Sequence, residues 1–444
     1  MRLLAVASIA AAVLGAPTWL FPQDRYVLVG GIVITMDDLV PHPDWVVVID
    51  GPRIVWVGPA NELDAGVPLR RLDIRGQYVF PGLVDAHVHV TADDFPLFLA
   101  NGVTTVREMN GSADHLVWRD EVRRGARLGP TLQVAGTLLA GTRQRWRHVV
   151  VETDSAARSV VRQQASAGYD YVKVYDGLGS EVYHAIIEEA GRARLPVVGH
   201  ILRGVGLGVA LDRKQRSLEH IDILQDLTLG HDPDTTVLGP TAGLLAASGA
   251  WVVPTLAVFE VLNMRRSPEI DHRFDAPELA YVDPELRTWW LSLRATAPAP
   301  LGATDRGAQR TRIQRRMVRA LFDRGVSIGV GTDSPNPLMV PGFALHDELS
   351  ALHRAGIPTA ALLRMVTRDN AELVAGGGGD GAGLAEFGTI AAGKRADLVL
   401  LEKNPLEGLE ALRHPKAVVV RGRLLARESV NEMVAEVKKL RAAR

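Results

Sequence analysis

Apolar positions along this chain fall into two textures. Near the two ends they form short β-rich runs: residues 26–35 (YVLVGGIVIT), 45–50 (WVVVID) and 53–58 (RIVWVG) early, and 396–401 (ADLVLL) and 417–425 (AVVVRGRLL) late. Pro, Gly and Asp separate them, the punctuation of short strands. Between these ends, short apolar strands that finish near His87, Glu108, Ala135, Tyr175, His200, His220, Thr255 and Asp333 alternate with longer segments. Several of the longer segments, 152–167, 180–194, 236–249 and 342–355, carry the amphipathic pattern of helices. Eight strands with helices between them predict an α/β fold, a (β/α)₈ TIM barrel whose active site lies at the C-terminal strand ends. The expected organisation is a β-sandwich built from 23–80 and 386–430, the barrel at 81–385 inserted into it, and a C-terminal helix at 431–444.

The longest interruption, 259–325, separates the seventh and eighth strands and ends in a helix expected at 305–325. Ile313, Met317 and Leu321 recur every fourth position there, which predicts one buried stripe. Arg306, Arg310, Arg312, Arg315, Arg316, Arg319 and Arg324 are read as a solvated basic face, with a lid that offers an arginine to an anionic substrate as the alternative. Gly376–Gly379 reads as a loop.

Composition narrows the chemistry. The 444 residues are 47% hydrophobic and 23% charged, which excludes a disordered chain. With 50 basic and 51 acidic residues the formal charge is −1, so no overall field draws nucleic acid or an anionic membrane. There is no cysteine, which removes disulfides, thiolate nucleophiles and Cys-ligated zinc together. Residues 1–22 begin with Arg2 and an apolar run from Leu3 to Gly15 and read as a signal peptide, giving a secreted or periplasmic protein. An uncleaved N-terminal anchor running through Phe21 is the alternative, and the only route to a membrane.

The decisive segment is PGLVDAHVHV, residues 81–90. His87 and His89 are two apart, so on a strand both face one side and can share a metal. Alone, such a pair is more often ordinary hydrogen-bonded structure. Later strand ends add to it. In DYVKVYD, Lys173 sits inside an apolar strand, where an unpaired ammonium is costly. His200 closes LPVVGHI, His220 closes the apolar part of RSLEHID, and Asp333 follows another apolar strand in VSIGVGTDSP. Each taken singly has a plain structural reading: a core histidine, an ion-paired lysine or a helix-capping aspartate.

The ordered set HVH, KVY, VGH, LEH and GTDSP resembles the binuclear branch of the amidohydrolase superfamily. The opening VFPGLVDAHVHV and the closing GTIAAGKRADLVLLEKNPL, residues 388–406, resemble it too, so the likeness spans about residues 26–425. Within it the texture is similar to imidazolonepropionase-like and Xaa-Pro or Xaa-Arg dipeptidase-like members, a grouping that includes mycotoxin amidases. The resemblance implies two divalent metal ions, with zinc expected. His87 and His89 would hold the first, His200 and His220 the second, carboxylated Lys173 would bridge them, and Asp333 would contact the first metal. It implies cleavage of an amide C–N bond by metal-bound hydroxide, with Asp333 as proton shuttle. A dipeptide or N-acyl amino acid is the expected small-molecule substrate. Alternatives on the same centre are a cyclic amidine hydrolase or deaminase, a lactone or phosphotriester hydrolase, and a barrel that binds metal without catalysis. Mononuclear deaminases of this superfamily lack the bridging lysine, so Lys173 favours two metals.

Tyr175, two residues after Lys173, faces the same way and is a candidate substrate contact. His346 in FALHDEL is a second, with a position on the helix surface as its plainer reading. Arg107-Glu108-Met109-Asn110 stands where relatives read Arg-Asp-Met-Gly, so the family's rim contacts do not carry over here. The remaining histidines, 42, 115, 148, 184, 231, 272, 353 and 414, are read as background. A homo-oligomer is compatible with all of this.

Overall fold

The computed structural model describes residues 25–64, 69–228, 237–265, 267–295, 303–375 and 386–444. The expected leader, His231 and the Gly376–Gly379 loop lie outside them. Among the described residues no helix is long and apolar enough to cross a membrane.

The central strands are parallel and short. Leu83–Val88, Val103–Glu108 and Thr131–Val134 form one sheet, while Val172–Val174, Val197–Gly199, Ser217–Glu219 and Trp251–Val253 pair in sequence order in another. Single bridges continue the series: Ala135 with Tyr171, Val252 with Ile328, and Val88 with Ser334. Ala86 N–H donates to Val330 O and Gly329 N–H to Val252 O, so the segment 328–334 lies between the seventh strand and the first. Seven of the eight expected strands are regular; the eighth is an extended segment held by isolated bridges. Its glycines explain this. A Cβ on Gly331 would meet His87 and Val253, and one on Gly329 would meet Leu373 and Val253. Close backbone approach replaces side-chain packing there, at the cost of strand regularity.

Each amphipathic segment read from the pattern is a helix: Asp154–Ala167, Ser180–Arg192, Leu238–Ser248 and Phe343–Arg354. The first illustrates the local logic. Thr153 caps its start by accepting from Ala156 N–H, and Gly168 at φ 85° ends it. The helix Ala303–Asp323 buries Ile313, Met317 and Leu321 as its stripe required. Its arginines are less solvated than a free basic face: Arg310 pairs with Asp226 at 2.8 Å and Arg315 with Glu260 at 2.7 Å.

The run 26–35 is two strands, Tyr26–Val29 and Ile32–Ile34, in different sheets. Gly30 at φ 80° makes the break. The first strand joins a sheet of N-terminal strands only. The second joins a six-stranded sheet in which Tyr78–Pro81 pairs antiparallel with Leu398–Leu401, so both chain ends share it. Tyr26, Leu28, Val47 and Ile49 of one sheet pack with Val33, Val79, Leu398 and Val419 of the other in one core. The C-terminal helix begins earlier than expected, at Arg427–Ala442.

Candidate active site

Because the central strands are parallel, their C-terminal ends gather on one side. His87 lies in the first strand, Lys173 in the fourth, and His200 and His220 directly after the fifth and sixth. Asp333 follows the irregular eighth segment at φ 57°, with its own N–H bonded to His87 O at 2.8 Å.

The side chains converge. His87 Nε2 is 3.4 Å and His89 Nε2 3.2 Å from Asp333 Oδ1, and His220 Nδ1 is 3.9 Å from Asp333 Oδ2. Lys173 Nζ is 3.4 Å from His87 Nε2. The His220 ring centre is 4.8 Å from that of His87 and 4.9 Å from that of His200. One donor atom from each of His87, His220 and Asp333 falls within 4.8 Å of the others, close enough to share one ion.

The protonation states suit ligation, which requires neutral imidazole and anionic carboxylate. Burial holds the pKa of His87 and His220 well below that of an ordinary imidazole. Burial also lowers His200, against the opposing hydrogen bond that its Nδ1 donates to Asp176. Burial works to raise Asp333, but His220, His89 and Lys173 outweigh it and the carboxyl is lowered. His89 is the exception: burial opposes its charge, yet hydrogen bonds to Asp333 and Glu108 raise it to about 9. These carboxylates call for a cation at that point. Burial lowers Lys173, whose side chain is almost wholly enclosed, towards the free amine that carboxylation requires. His200 Nε2 is buried with no partner. The donor set fits divalent metal.

Sequence reasoning missed the groups that orient these side chains. Glu219, fully buried, accepts from His87 Nδ1 at 2.8 Å, Arg107 Nη2 at 3.0 Å and Ser217 Oγ at 2.5 Å. Its neighbour His220 bonds Thr255 Oγ1 at 2.8 Å. Thr255 is a β-branched residue held at φ 47°, and the next two backbone N–H groups, of Leu256 and Ala257, donate to buried Glu348 at 2.9 and 2.6 Å. Glu108 accepts from Val90 and Asn110 N–H, each at 2.7 Å, and lies 3.5 Å from His89 Nδ1. His115, read as background, is locked beside it, with Nε2–H donating to Val90 O and Nδ1 accepting from Ser112 N–H.

A cavity of about 500 Å³ opens over this cluster. Tyr175 lines it, as Lys173 does, with its ring 3.9 Å from that of His200. Trp146, Arg147, Arg203, Asp222 and Phe259 line it too and were not foreseen. His346 does not line the cavity. It is buried on the helix Phe343–Arg354, with Asn101, Arg413 and His414 as its neighbours.

Parallel strands whose ends carry buried imidazoles, a lysine and an aspartate gather the donors of a metal centre beside one cavity. The chain belongs to the amidohydrolase family, which its residues 78–425 match. One stretch of 46 residues, 10% of this chain, is 48% identical to imidazolonepropionase from Pseudomonas paraeruginosa and spans 11% of that relative's length. Imidazolonepropionase from Anaeromyxobacter sp. (strain K) aligns at 24% identity over 93% of this chain and 99% of the relative. Among solved structures, bottromycin amidohydrolase superimposes with a TM-score of 0.76 at 25% identity, covering 95% of this chain and 92% of the other.

Proposed function

We propose that this chain is a binuclear metal-dependent hydrolase of amide bonds in small molecules, with a dipeptide or N-acyl amino acid as substrate. The observation that carries the proposal is the convergence of His89, Lys173, His200, His220 and Asp333 from five strand ends onto one cavity, with His87 buried against Asp333 and Lys173. In this reading the eight parallel segments close into a (β/α)₈ barrel, residues 81–385. The bridges on both sides of 328–334 support closure. The two terminal sheets form a β-sandwich from 23–80 and 386–430, supported by their common core. The leader would direct export.

His87, His89 and Asp333 would hold one ion and His200 and His220 the other, with Lys173 carboxylated between them. Bound there, two divalent ions, zinc in our reading, supply Lewis acidity and lower the pKa of water towards neutrality. The protein's own part is positional. Glu219 fixes the His87 ring through Nδ1, leaving Nε2 facing the centre. Thr255 holds His220 in the same manner. Asp333, anionic and within reach of three imidazoles, accepts the proton released as water attacks the carbonyl and returns it to the leaving nitrogen. Tyr175 stands at the rim as a donor to the substrate.

The test is a hydrolysis panel of dipeptides, N-acyl amino acids, cyclic amidines, lactones and phosphotriesters before and after chelation. Chelator-sensitive release of free amino acids is the expected result. Ammonia release from a ring substrate would move the chain to the deaminase class, and activity indifferent to chelation would sink the metal mechanism.

A further inference from the structure

Four carboxylates line the cavity: Glu108, Asp176, Asp222 and Asp333. Three are committed. Glu108 is held by Val90 and Asn110 N–H and lies against His89. Asp176 accepts from His200 Nδ1 at 3.0 Å, and Asp333 belongs to the histidine cluster. Asp222 differs. Its hydrogen-bonding neighbour is the backbone of Ile223, and its Oδ1 is buried with no hydrogen-bond partner.

Arg310 acts on it through charge, but among the described residues no cation hydrogen-bonds its Oδ1. Arg203 Nη2 donates to Asp226 Oδ2 at 2.7 Å and Arg310 Nη2 to Asp226 Oδ1 at 2.8 Å, so the neighbouring carboxylate takes both. Arg147, also on the cavity wall, donates to Asn110 O. A carboxylate oxygen buried without a donor is costly, and such a group in a ligand cavity is satisfied when the ligand brings the donor. Beside it the wall is apolar: Ile223, Phe259 and Leu286 line the same cavity, and the Phe259 ring centre lies 5.7 Å from that of His220.

We propose that Asp222 is a specificity residue that takes a protonated amine of the substrate, whose adjoining apolar side chain packs on Ile223, Phe259 and Leu286. The inference rests on the amide-hydrolase reading and deepens it: the substrate is an aminoacyl compound with a free amine and a bulky apolar side chain. A charge-assisted hydrogen bond of this kind corresponds to a preference of roughly 10- to 100-fold.

The experiment compares leucyl-alanine with N-acetyl-leucyl-alanine as substrates of the metal-loaded enzyme, and L-leucine with N-acetyl-L-leucine as ligands by calorimetry. The wild type should favour the free amine in both. In Asp222→Asn the ratio of kcat/KM for the two dipeptides should fall at least tenfold with metal content retained, while Asp222→Glu keeps part of the preference. A wild type indifferent to the amine, or a ratio unmoved in Asp222→Asn, would overturn the assignment. If neither dipeptide is cleaved, the proposed reaction fails separately and calorimetry decides on Asp222: leucine favoured over its acetyl derivative by the wild type, and not by Asp222→Asn, sustains the anchor, and equal binding refutes it.

Discussion

Replacing Glu219 separates two roles that the structure assigns to one buried carboxylate. Its bond to His87 Nδ1 is 2.8 Å long and both side chains are wholly enclosed, so it is charge-assisted and unscreened, worth about 1.5–3 kcal/mol. That bond sets which ring nitrogen faces the centre. Glu219→Gln keeps the volume but removes the charge that holds the His87 proton on Nδ1. Metal affinity should then fall by roughly 10- to 100-fold, the usual cost of losing a carboxylate behind a ligating histidine. Glu219→Ala does more. Arg107, also wholly enclosed, loses its carboxylate partner and is left with hydrogen bonds to Ala86 O and Ser217 Oγ and the Tyr171 ring 5.7 Å away. Stranding a buried charge costs about 3–5 kcal/mol of stability. Chelator-competition titrations report the first effect and denaturant unfolding of metal-free protein the second. Unaltered metal affinity in Glu219→Gln would refute the view that this carboxylate orients a ligand.

Other consequences follow from the same geometry. Asp333→Asn should retain bound metal while turnover falls at least ~10²-fold, the scale of general acid–base assistance; near-normal turnover would remove Asp333 from proton transfer. Burial raises Glu348 from 4.5 to about 8, against its two backbone hydrogen bonds. Above pH 4.5 the unfolded chain releases this proton before the folded one does, so Glu348 makes stability fall as pH rises from about 4.5 to 8. Thermal melts of chelated protein should decline across that window. The decline should be shallower in Glu348→Gln, and an unchanged slope would count against the raised value.

Much of the side-chain cluster was legible because its members lie in or directly after short apolar strands. Lys173 between Val172 and Val174, and His200 after Val197–Gly199, stand out as polar groups where the pattern demands apolar ones. The helices were legible from their period, and Ile313, Met317 and Leu321 lie where it put them. What escaped were groups whose function depends on partners distant in sequence. Glu219 and Arg107 look like ordinary charges on strand ends until folding buries them against each other, 112 positions apart. Asp222 sits two residues beyond a histidine that drew the attention. His346 was named for its place on the segment after Asp333, and nearness in sequence does not say which side chains of a helix reach the cavity. The eighth strand was read as regular because glycine's permissiveness, which lets 328–334 approach its neighbours, leaves no signature of lost pairing.

The proposed reaction requires two metal ions bridged by a carboxylated Lys173. Elemental analysis of protein purified and equilibrated with bicarbonate, beside Lys173→Ala prepared in the same way, counts them. Two divalent ions per wild-type chain, with the second lost in the variant, is the result the site predicts. One ion per chain in the wild type, or two in the absence of Lys173, would contradict it.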